Sequence, residues 1–493
     1  MSPEDIATTI RVLEEIADDR GILAGLPAPE RAALLSAAGR VARPSYIEKR
    51  RLHKALRRKD ELGVRAHDER LLSATAMRAA ERAPRWAPPP RSENRSVERL
   101  LSPRSCYVCK EDYQELHVFY DSLCPDCATL NYEKRFQSTD LRGRIALVTG
   151  ARLKIGYQIA LMLLRAGARV IATTRFPHDA ARRYAAEPDF AEWKERLEVQ
   201  GLDLRHAPSV EIFAGFLAER LARLDFLVNN AAQTVRRPPA FYAHLLDGEE
   251  RSPGAEAQPL LAARDELRRH AGALTEAAGD GLVAWHGGSA AIGLLAPARL
   301  TQIPCAADEI GGPLVAPTGL LDLDAQQIDR RTNNSWRLPL AEVPTPELLE
   351  VHLVNAIAPF ILTSRLRPLM ERERTGDKHV VNVSAMEAQF ARKKKTDKHP
   401  HTNMAKAALN MMTRTSGGDY QQAGIHMNSV DTGWITDEDP LVHVDRKQRV
   451  HGFHPPLDVV DGAARVLDPI FDGLNRGEHV WGKFLKDYRA VEW

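Results

Sequence analysis

Four cysteines occur as two closely spaced pairs, an arrangement suited to binding one metal ion. Cys106 and Cys109 form one Cys-x-x-Cys pair, and Cys124 and Cys127 form a second pair after 14 intervening residues. Each pair can fold into a turn that points two thiolates at one ion, and two such turns supply the sulfur ligands of a tetrahedral structural zinc site. Four reduced thiols or two disulfides are the alternatives, although disulfides are rare in a reducing compartment. His117, between the pairs, is expected to be a surface residue.

A glycine-bearing segment could bind the diphosphate of a dinucleotide. The segment TGARLKIG, Thr149–Gly156, follows the apolar run RIALVTG and precedes a helical pattern. Glycine lets the backbone approach phosphate, and the free N–H groups of a helix start can hold it. Arg175 ends the next strand, where it suits a 2′-phosphate, with Arg152 as a second contact. We therefore expect NADP rather than NAD, with a surface salt bridge as the alternative role of Arg175.

The elements that must position these residues follow from the hydrophobic pattern after about residue 140. Buried-strand runs (RIALVTG, RVIATTR, LDFLVNN, HVVNVSA and IHMNSVDTG) alternate with helical patterns. Such alternation is typical of βαβ units and of a parallel sheet covered by helices on both faces. The sequence therefore predicts a doubly wound, Rossmann-like α/β domain.

The composition predicts a folded chain of two or three domains. The chain has 493 residues, 44% of them hydrophobic, and a net charge of +2. These values exclude a wholly disordered, collagenous or fibrous protein. No run of 18 apolar residues and no secretory leader is visible, so we expect a soluble, cytoplasmic protein without a membrane partner. The near-neutral charge does not favour a nucleic-acid partner.

Three segments precede the α/β domain. Residues 1–83 are predicted to be helical, with Ile6, Ile10 and Leu13 at helical spacing. Residues 84–103 are rich in proline and polar residues and predict a linker, and residues 104–139 form the four-cysteine module, expected to be a zinc ribbon. The basic segment Glu48–Lys59 is expected to be a solvated helix face, with RNA, anionic lipid or an acidic protein partner as the alternative.

A series of motifs in the second part of the chain resembles that of the short-chain dehydrogenase/reductase family. In chain order the motifs are Thr149-Gly150 with Gly156, Asp203-Leu204, Asn229-Asn230-Ala231-Ala232, Val354-Asn355, Val383-Ser384, Lys406-Ala407-Ala408 and Thr432-Gly433-Trp434. The resemblance covers residues 140–493 apart from an insertion at about 239–345. It implies a Rossmann-like domain that transfers a hydride between NADP and a carbonyl or alcohol.

The resemblance implies two groups of site residues. In the catalytic group, Asn355 would steady a proton-relay water, Ser384 would bind the substrate carbonyl and Lys406 would bind the nicotinamide ribose. In the cofactor group, Asp203 would bind the adenine amino group and Asn230 would pack beneath the adenosine. The full cofactor group would comprise Thr149, Gly150, Arg152, Lys154, Ile155, Gly156, Arg175, Asp203, Leu204, Asn230, Ala231, Lys406, Gly433 and Thr436.

Three positions depart from the family pattern. Lys154 replaces the middle glycine of the phosphate loop, and Thr432 replaces the proline before Gly433. Thr402 stands four residues before Lys406, where the family has its catalytic tyrosine. An aliphatic hydroxyl is a far weaker acid than a phenol, so we do not expect Thr402 to do the tyrosine's work.

Three other residues are candidates for the missing proton donor. His401 is favoured, because it lies in the same loop and its side chain titrates near neutral pH. His399 and Tyr242 are weaker candidates. The preceding loop is also basic, which predicts attraction of an anionic small-molecule substrate; its charged residues are Arg392, Lys393, Lys394, Lys395 and Lys398.

Two classes of function remain open. The first is an atypical NADP-dependent oxidoreductase that uses Ser384 and Lys406 without the usual tyrosine. The second is a weak or inactive NADP-binding scaffold or sensor whose zinc module and basic helices bind a partner. Retention of Asn355 with Ser384 favours the enzyme, whereas loss of the tyrosine favours the scaffold. Family members form dimers or tetramers, so the resemblance also allows a homo-oligomer.

Overall fold

The computed structural model describes residues 2–80, 96–273, 291–303, 321–322, 324–392 and 395–493. Within it the chain divides into two units, Met1–Leu71 with Leu100–Ser102, and Leu72–Arg99 with Pro103–Trp493. Cys305, Lys393 and Lys394 lie outside the described residues, as do parts of the predicted linker and insertion.

The first unit is helical, as predicted. Its helices are α1 (Pro3–Asp18), α2 (Ala28–Ala42) and α3 (Tyr46–Ser73), the last of which continues two residues beyond the unit. Helix α1 begins in a capping box, because the Ser2 hydroxyl accepts the N–H of Asp5 and the Asp5 carboxylate accepts the N–H of Ser2. The basic segment Glu48–Lys59 lies within α3, and every one of its residues is exposed.

The four-cysteine module differs from the expectation at two points. The short helix α4 (Ala76–Ala80) is followed by strand β1 (Ser96–Ser105), so the second half of the predicted linker is a strand. It pairs antiparallel with β2 (Asp112–His117), and α5 (Pro125–Lys134) completes the module. His117 is buried, not a surface residue: its Nδ1 accepts the N–H of Phe119 at 3.0 Å, and its ring lies 5.5 Å from that of Tyr132.

Eight further strands form one sheet, as the alternating pattern predicts. Their bounds are β3 (Ile145–Thr149), β4 (Arg169–Thr174), β5 (Leu197–Gly201), β6 (Phe226–Asn229), β7 (Lys378–Ser384), β8 (Ile425–Asp431), β9 (Phe484–Lys486) and β10 (Arg489–Val491). The order across the sheet is β10-β9-β8-β7-β6-β3-β4-β5. Strands β3 to β9 pair in parallel and β10 is antiparallel at one edge. The Rossmann-like α/β fold is thus confirmed.

Helices cover both faces of this sheet. In chain order they are α6 (Lys154–Arg165), α7 (Pro177–Ala185), α8 (Phe190–Trp193), α9 (Ala207–Arg220), α10 (Ala243–Glu250), α11 (which includes residues 262–273), α12 (Ile292–Leu295), α13 (Thr345–His352), α14 (Ala358–Glu371), α15 (Pro400–Gln422), α16 (Leu441–His451) and α17 (Val459–Arg476). Side chains alternate between two cores: Ala146 and Val148 face the core that includes residues of α6 and α17, whereas Leu147 faces the core that includes residues of α9 and α14.

One helical stretch within the described ranges, Thr345–Glu371, is long and apolar enough to cross a membrane by length and composition. Its residues Ala358, Leu362 and Leu366 are buried in the core against the sheet. Packing as a core helix therefore accounts for its apolar composition.

Candidate active site

The carboxyl ends of the parallel strands border a cleft of about 1160 Å³. The cleft lies where the strand order reverses, because β3 is followed in sequence by β4 on one side while β6 pairs on the other. The residues lining it include most of the predicted cofactor group: Gly150, Arg152, Lys154, Ile155, Gly156, Arg175, Asp203, Leu204, Asn230, Ala231, Lys406, Gly433 and Thr436. Thr149 is buried instead, and its hydroxyl oxygen accepts the N–H groups of Asn230 and Ala231.

The glycine loop between β3 and α6 has no room for side chains at two positions. A Cβ on Gly156 would lie 2.3 Å from the carbonyl oxygen of Gly150 and 2.4 Å from the amide nitrogen of Asn230. Gly150 has a φ of 68°, and a Cβ there would lie 2.8 Å from the Cα of Ala231. Asn230 holds the loop by donating its side-chain N–H to the carbonyl of Thr149 at 2.9 Å. The two glycines therefore allow the loop to pack closely against the residues that follow β6.

Lys154 has a backbone conformation that favours glycine. Its φ is 52°, in the left-handed region that costs a non-glycine residue about 1–2 kcal/mol. Its ammonium stands in the cleft and interacts with the carboxylates of Asp324 and Glu438. Burial raises the pKa of Glu438, but Lys154 and Arg237 outweigh it and hold that pKa below its usual value. The side chain therefore extends into the cleft while the backbone turn is preserved.

The cleft arginines differ in whether a carboxylate already balances their charge. Arg152 pairs with Asp179 at 2.7 Å, and Arg237 pairs with Asp329. Arg175 donates to the hydroxyl of Tyr242 at 3.0 Å, and its guanidinium lies 4.8 Å from the centre of that ring. In the described ranges, no carboxylate oxygen lies within ion-pair distance of Arg175. It is therefore the cleft arginine best placed to bind an added phosphate.

Asp203 and Tyr242 each form hydrogen bonds with an arginine that lines the cleft. Both carboxylate oxygens of Asp203 accept hydrogen bonds from the guanidinium of Arg205, a partner the sequence does not indicate. Burial would raise the pKa of Tyr242, but Arg175 and its neighbours lower it below the usual value. The hydroxyl of Tyr242 is therefore already bound by Arg175.

The three residues of the predicted catalytic group are all buried, and two of them line the cleft. Ser384 ends β7, and its Oγ has no hydrogen-bond partner among the described residues. Lys406 donates from Nζ to the carbonyl of Val383 at 2.7 Å, and burial lowers its pKa to about 8. Asn355 lies in a π-helical turn, where its amide bonds to both the N–H and the C=O of Gln233. Its side-chain amide therefore orders the loop after β6.

Comparison with known proteins finds relatives that match different fractions of this chain. An uncharacterized protein, R665, of Acanthamoeba polyphaga mimivirus is 32% identical over 386 residues, which are 76% of this chain and 72% of that protein. The human dehydrogenase/reductase SDR family member 13 is 42% identical over 94 residues, 19% of this chain and 24% of that protein. A solved short chain dehydrogenase from Burkholderia cenocepacia in complex with NADP has a TM-score of 0.43 at 17% identity, over 71% of this chain and 97% of that chain. Beyond the viral protein, the curated relatives match over 23–34% of their own lengths.

Two family models match the α/β domain. The model described as short chain dehydrogenase matches residues 144–244, and the model described as Enoyl-(Acyl carrier protein) reductase matches residues 331–448. The first range holds the glycine loop and the second holds Ser384 and Lys406, with the insertion between them. These two ranges of the chain match models of the short-chain dehydrogenase/reductase family.

The residues considered as replacements for the tyrosine differ in whether they line the cleft. Thr402 and His401 are buried, and neither is among the described residues that line the cleft. His401 lies 3.9 Å from Glu347 on α13, and burial lowers its pKa to about 4, so the expectation that it serves the cleft is not supported. His399 does line the cleft, stacked 3.9 Å from the ring of Trp336 and bonded through Nδ1 to Asn403. Burial lowers its pKa as well.

The four-cysteine module contributes a side chain to the lining of the cleft, which the sequence did not indicate. Tyr107, next to Cys106, lines the cleft, and its hydroxyl oxygen accepts the N–H of Trp434 at 2.9 Å. Trp434 follows Gly433, which has a φ of 81° and would place a Cβ 2.5 Å from Leu457. The turn that the family closes over the nicotinamide is therefore held by a side chain from the module. The partners are 327 residues apart, so no local pattern signals the contact.

The four thiols lie close enough together to bind one metal ion. The sulfur atoms of Cys106, Cys109, Cys124 and Cys127 all lie within 4.8 Å of one another, and none forms a disulfide. The sulfurs of Cys109 and Cys124 are 3.7 Å apart, close to the ~3.8 Å edge of a tetrahedron with zinc–sulfur bonds of about 2.3 Å. The N–H of Cys124 also points at the sulfur of Cys106 at 3.3 Å, as in a knuckle that stabilises a thiolate.

Proposed function

We propose that this protein is an NADP-dependent oxidoreductase that transfers a hydride between the nicotinamide and a carbonyl or alcohol. The observation that carries the proposal is Ser384, whose free Oγ lies in the same cleft as Lys406 and the glycine loop. A binding-only domain has no evident need of a serine hydroxyl without a partner. When bound, the cofactor supplies the hydride; Ser384 orients the reacting oxygen by a hydrogen bond, and Lys406 binds the ribose.

The cradle fits a phosphorylated dinucleotide. Gly150 and Gly156 allow the loop to pack closely against Asn230 and Ala231 at the helix start, where N–H groups and the positive end of the helix dipole favour phosphate. Among the described residues, Asp203 interacts with Arg175 only beyond ion-pair distance, so a 2′-phosphate would supply a direct counter-charge. Arg152 is already balanced by Asp179 and would contribute less.

We propose that the substrate is a small molecule. Basic residues that line the cleft favour a substrate with an anionic group. Arg392 and Lys395 both line the cleft. The charge of Arg392 is partly balanced by the carboxylate of Glu387. Lys395 donates to a backbone carbonyl instead, and in the described residues it forms no ion pair. Para-carboxybenzaldehyde and its methyl ester are matched probes of this preference.

Replacing Ser384 by alanine is expected to lower kcat about 100-fold without weakening NADPH binding. The change removes the hydrogen bond to the reacting oxygen, and loss of one such donor typically lowers kcat by about 10²–10³. NADPH binding is read from cofactor fluorescence, and turnover from NADPH oxidation with phenanthrenequinone, para-nitrobenzaldehyde or para-carboxybenzaldehyde. Wild-type protein that binds NADPH and reduces none of these probes would contradict the enzyme and favour the scaffold, which loss of the tyrosine also supports.

Replacing Arg175 by alanine is expected to weaken NADPH binding about 10- to 100-fold and leave NADH binding within about twofold. Only NADPH carries the 2′-phosphate whose charge Arg175 would meet, and each tenfold change corresponds to about 1.4 kcal/mol. Arg165→Ala is the matched control, because that arginine pairs with Asp189 outside the cleft. An equal loss for both cofactors would show that Arg175 only supports the fold of the loop.

We also propose that the four cysteines bind one structural zinc ion. The closed set of four sulfur ligands leaves no position for substrate, so the ion would fold the module that presents Tyr107 to the cleft. Reduced zinc-binding thiols also support a cytoplasmic location.

A further inference from the structure

Two polar side chains end neighbouring strands at the floor of the cleft. Ser384 is the last residue of β7 and Asp431 is the last residue of β8, and the two are partners in the parallel register. Partners on adjacent strands lie about 4.8 Å apart across the sheet, and both side chains line the cleft. Asp431 is buried, and its Oδ1 accepts the N–H of Met386 at 3.2 Å. A carboxyl group thus stands beside the hydroxyl proposed to bind the substrate oxygen.

The surroundings of Asp431 place its titration near the pH of the cell. Burial raises its pKa to about 6, with Glu387 and Asp487 adding to the rise. Lys486, whose Nζ lies 3.9 Å from Oδ2, opposes them together with the N–H of Met386. Tyr107 faces the same carboxyl from the four-cysteine module. An ordinary aspartic acid is almost wholly ionised at neutral pH, whereas a group with this pKa stays protonated in about a tenth of the molecules.

The other titratable groups considered for proton transfer are less well placed. His401 and Thr402 do not line the cleft in the described part of the chain, and Tyr242 lies with Arg175. Lys406 donates to the carbonyl of Val383. His399 lines the cleft, but its ring is stacked on an indole and bonded through Nδ1. Asp431 is the one among them that shares a strand-end position with Ser384.

We propose that Asp431 is the proton-transferring catalytic residue, in place of the family's tyrosine. The proposal rests on the proposed oxidoreductase function. In reduction, the carbonyl carbon gains a hydride from the reduced nicotinamide, which is oxidised, and the C=O π electrons move to oxygen. That oxygen takes the proton of the Asp431 carboxyl as the O–H bond breaks, leaving a carboxylate that water reprotonates. In oxidation the carboxylate accepts the alcohol proton. The group serves as acid below its pKa and as base above it.

The test compares wild-type protein with Asp431→Asn, both full length and metal-loaded, with NADPH and the fastest of the carbonyl probes. Asp431→Asn is expected to lower kcat by about 10²–10³-fold, because general acid–base catalysis typically contributes 10²–10⁴. NADPH affinity should stay within about twofold. Wild-type kcat/KM should fall tenfold per pH unit above about 6, and the variant should lose this dependence. Asparagine keeps the shape of the side chain and its contact with Met386.

Two further measurements do not depend on turnover of the variant. Infrared difference spectra of the ligand-free protein should show a carboxyl that titrates near pH 6 and is absent from Asp431→Asn. Glu387→Gln removes a negative charge that raises this pKa, so the titration midpoint should move to lower pH. A midpoint that stays in place would overturn the proposal even if Asp431→Asn failed to fold.

The outcomes separate this proposal from the function on which it rests. Turnover that keeps its rate and pH dependence in Asp431→Asn would overturn the role of Asp431 and leave the oxidoreductase intact. A pH dependence that persists there but disappears in His399→Gln would assign the proton to His399. NADPH binding without turnover of any probe by the wild-type protein would overturn both.

Discussion

Replacing Gly156 by alanine is expected to abolish dinucleotide binding. The added Cβ would lie 2.3 Å from the carbonyl oxygen of Gly150 and 2.4 Å from the amide nitrogen of Asn230. The first is a backbone atom and cannot turn aside, and the second is a side-chain atom held by its hydrogen bond to the carbonyl of Thr149. The loop must open instead, which separates the backbone N–H groups from the phosphate they would bind. We expect NADPH affinity to fall more than 100-fold, with overpacking costing about 1–3 kcal/mol of stability.

The matched control is Gly215→Ala. Gly215 is exposed in α9, and a Cβ there meets no atom within 4 Å. Alanine is a better helix former than glycine by about 1 kcal/mol, so this variant should be slightly more stable and bind NADPH as the wild type does. Isothermal titration calorimetry measures binding, and thermal unfolding measures stability. A Gly156→Ala protein that binds NADPH normally would show that the cofactor does not approach this loop.

The glycine loop and the sheet were predictable because their determinants are local. Apolar runs of strand length, the glycines after β3 and the alternation with helical patterns all lie within short stretches of sequence. Ser384 and Lys406 were found in the same way, through motifs whose spacing the fold keeps constant. The role of Asn355 stays a prediction, and its bonds to Gln233 could not be predicted because they depend on where that loop folds back.

The features that sequence reasoning missed depend on how the chain folds. Arg205 is two residues from Asp203, but only the folded turn shows that it binds both carboxylate oxygens. Asp431 resembles any aspartic acid at a strand end until burial and the neighbouring charges are known. His117 was expected on a surface because a histidine in an exposed hairpin usually lies there, yet its ring packs near those of Tyr120 and Tyr132. Burial and charge balance are properties of the folded chain.

The four-cysteine module is joined to the α/β domain by buried ion pairs. Arg135, which directly follows α5, lies 2.8 Å from both Asp458 and Asp461 at the start of α17, and the side chains of Arg135 and Asp461 are fully buried. Tyr120 donates its hydroxyl to Asp461 at 2.5 Å, and Lys134 pairs with Asp468 at 2.5 Å. Breaking a buried pair by removing one partner typically costs about 3–5 kcal/mol. The fold of the module and the stability of α17 are therefore coupled.

Removing the metal is expected to destabilise the protein and to weaken cofactor binding together. Without the ion, four thiols have no common partner and the turns that carry Tyr107 and α5 lose their anchor. Loss of about 3–5 kcal/mol at the ion-paired contact should lower the Tm by about 5–10 °C. NADPH affinity should fall as well, because Tyr107 would no longer hold the N–H of Trp434 beside the nicotinamide turn.

The clearest form of this experiment compares Cys127→Ser with Cys305→Ser. The first removes one of the four clustered thiols, and the second removes the one cysteine outside both Cys-x-x-Cys pairs. Wild-type and Cys305→Ser proteins should carry one zinc ion per chain by elemental analysis, whereas Cys127→Ser should lose zinc, Tm and NADPH affinity in parallel. A zinc-free Cys127→Ser protein with unchanged Tm and unchanged NADPH affinity would show that the metal supports neither the fold nor the cleft. Loss of Tm with normal affinity would instead confine its effect to the module, because the contact between Tyr107 and Trp434 would then be unnecessary for binding.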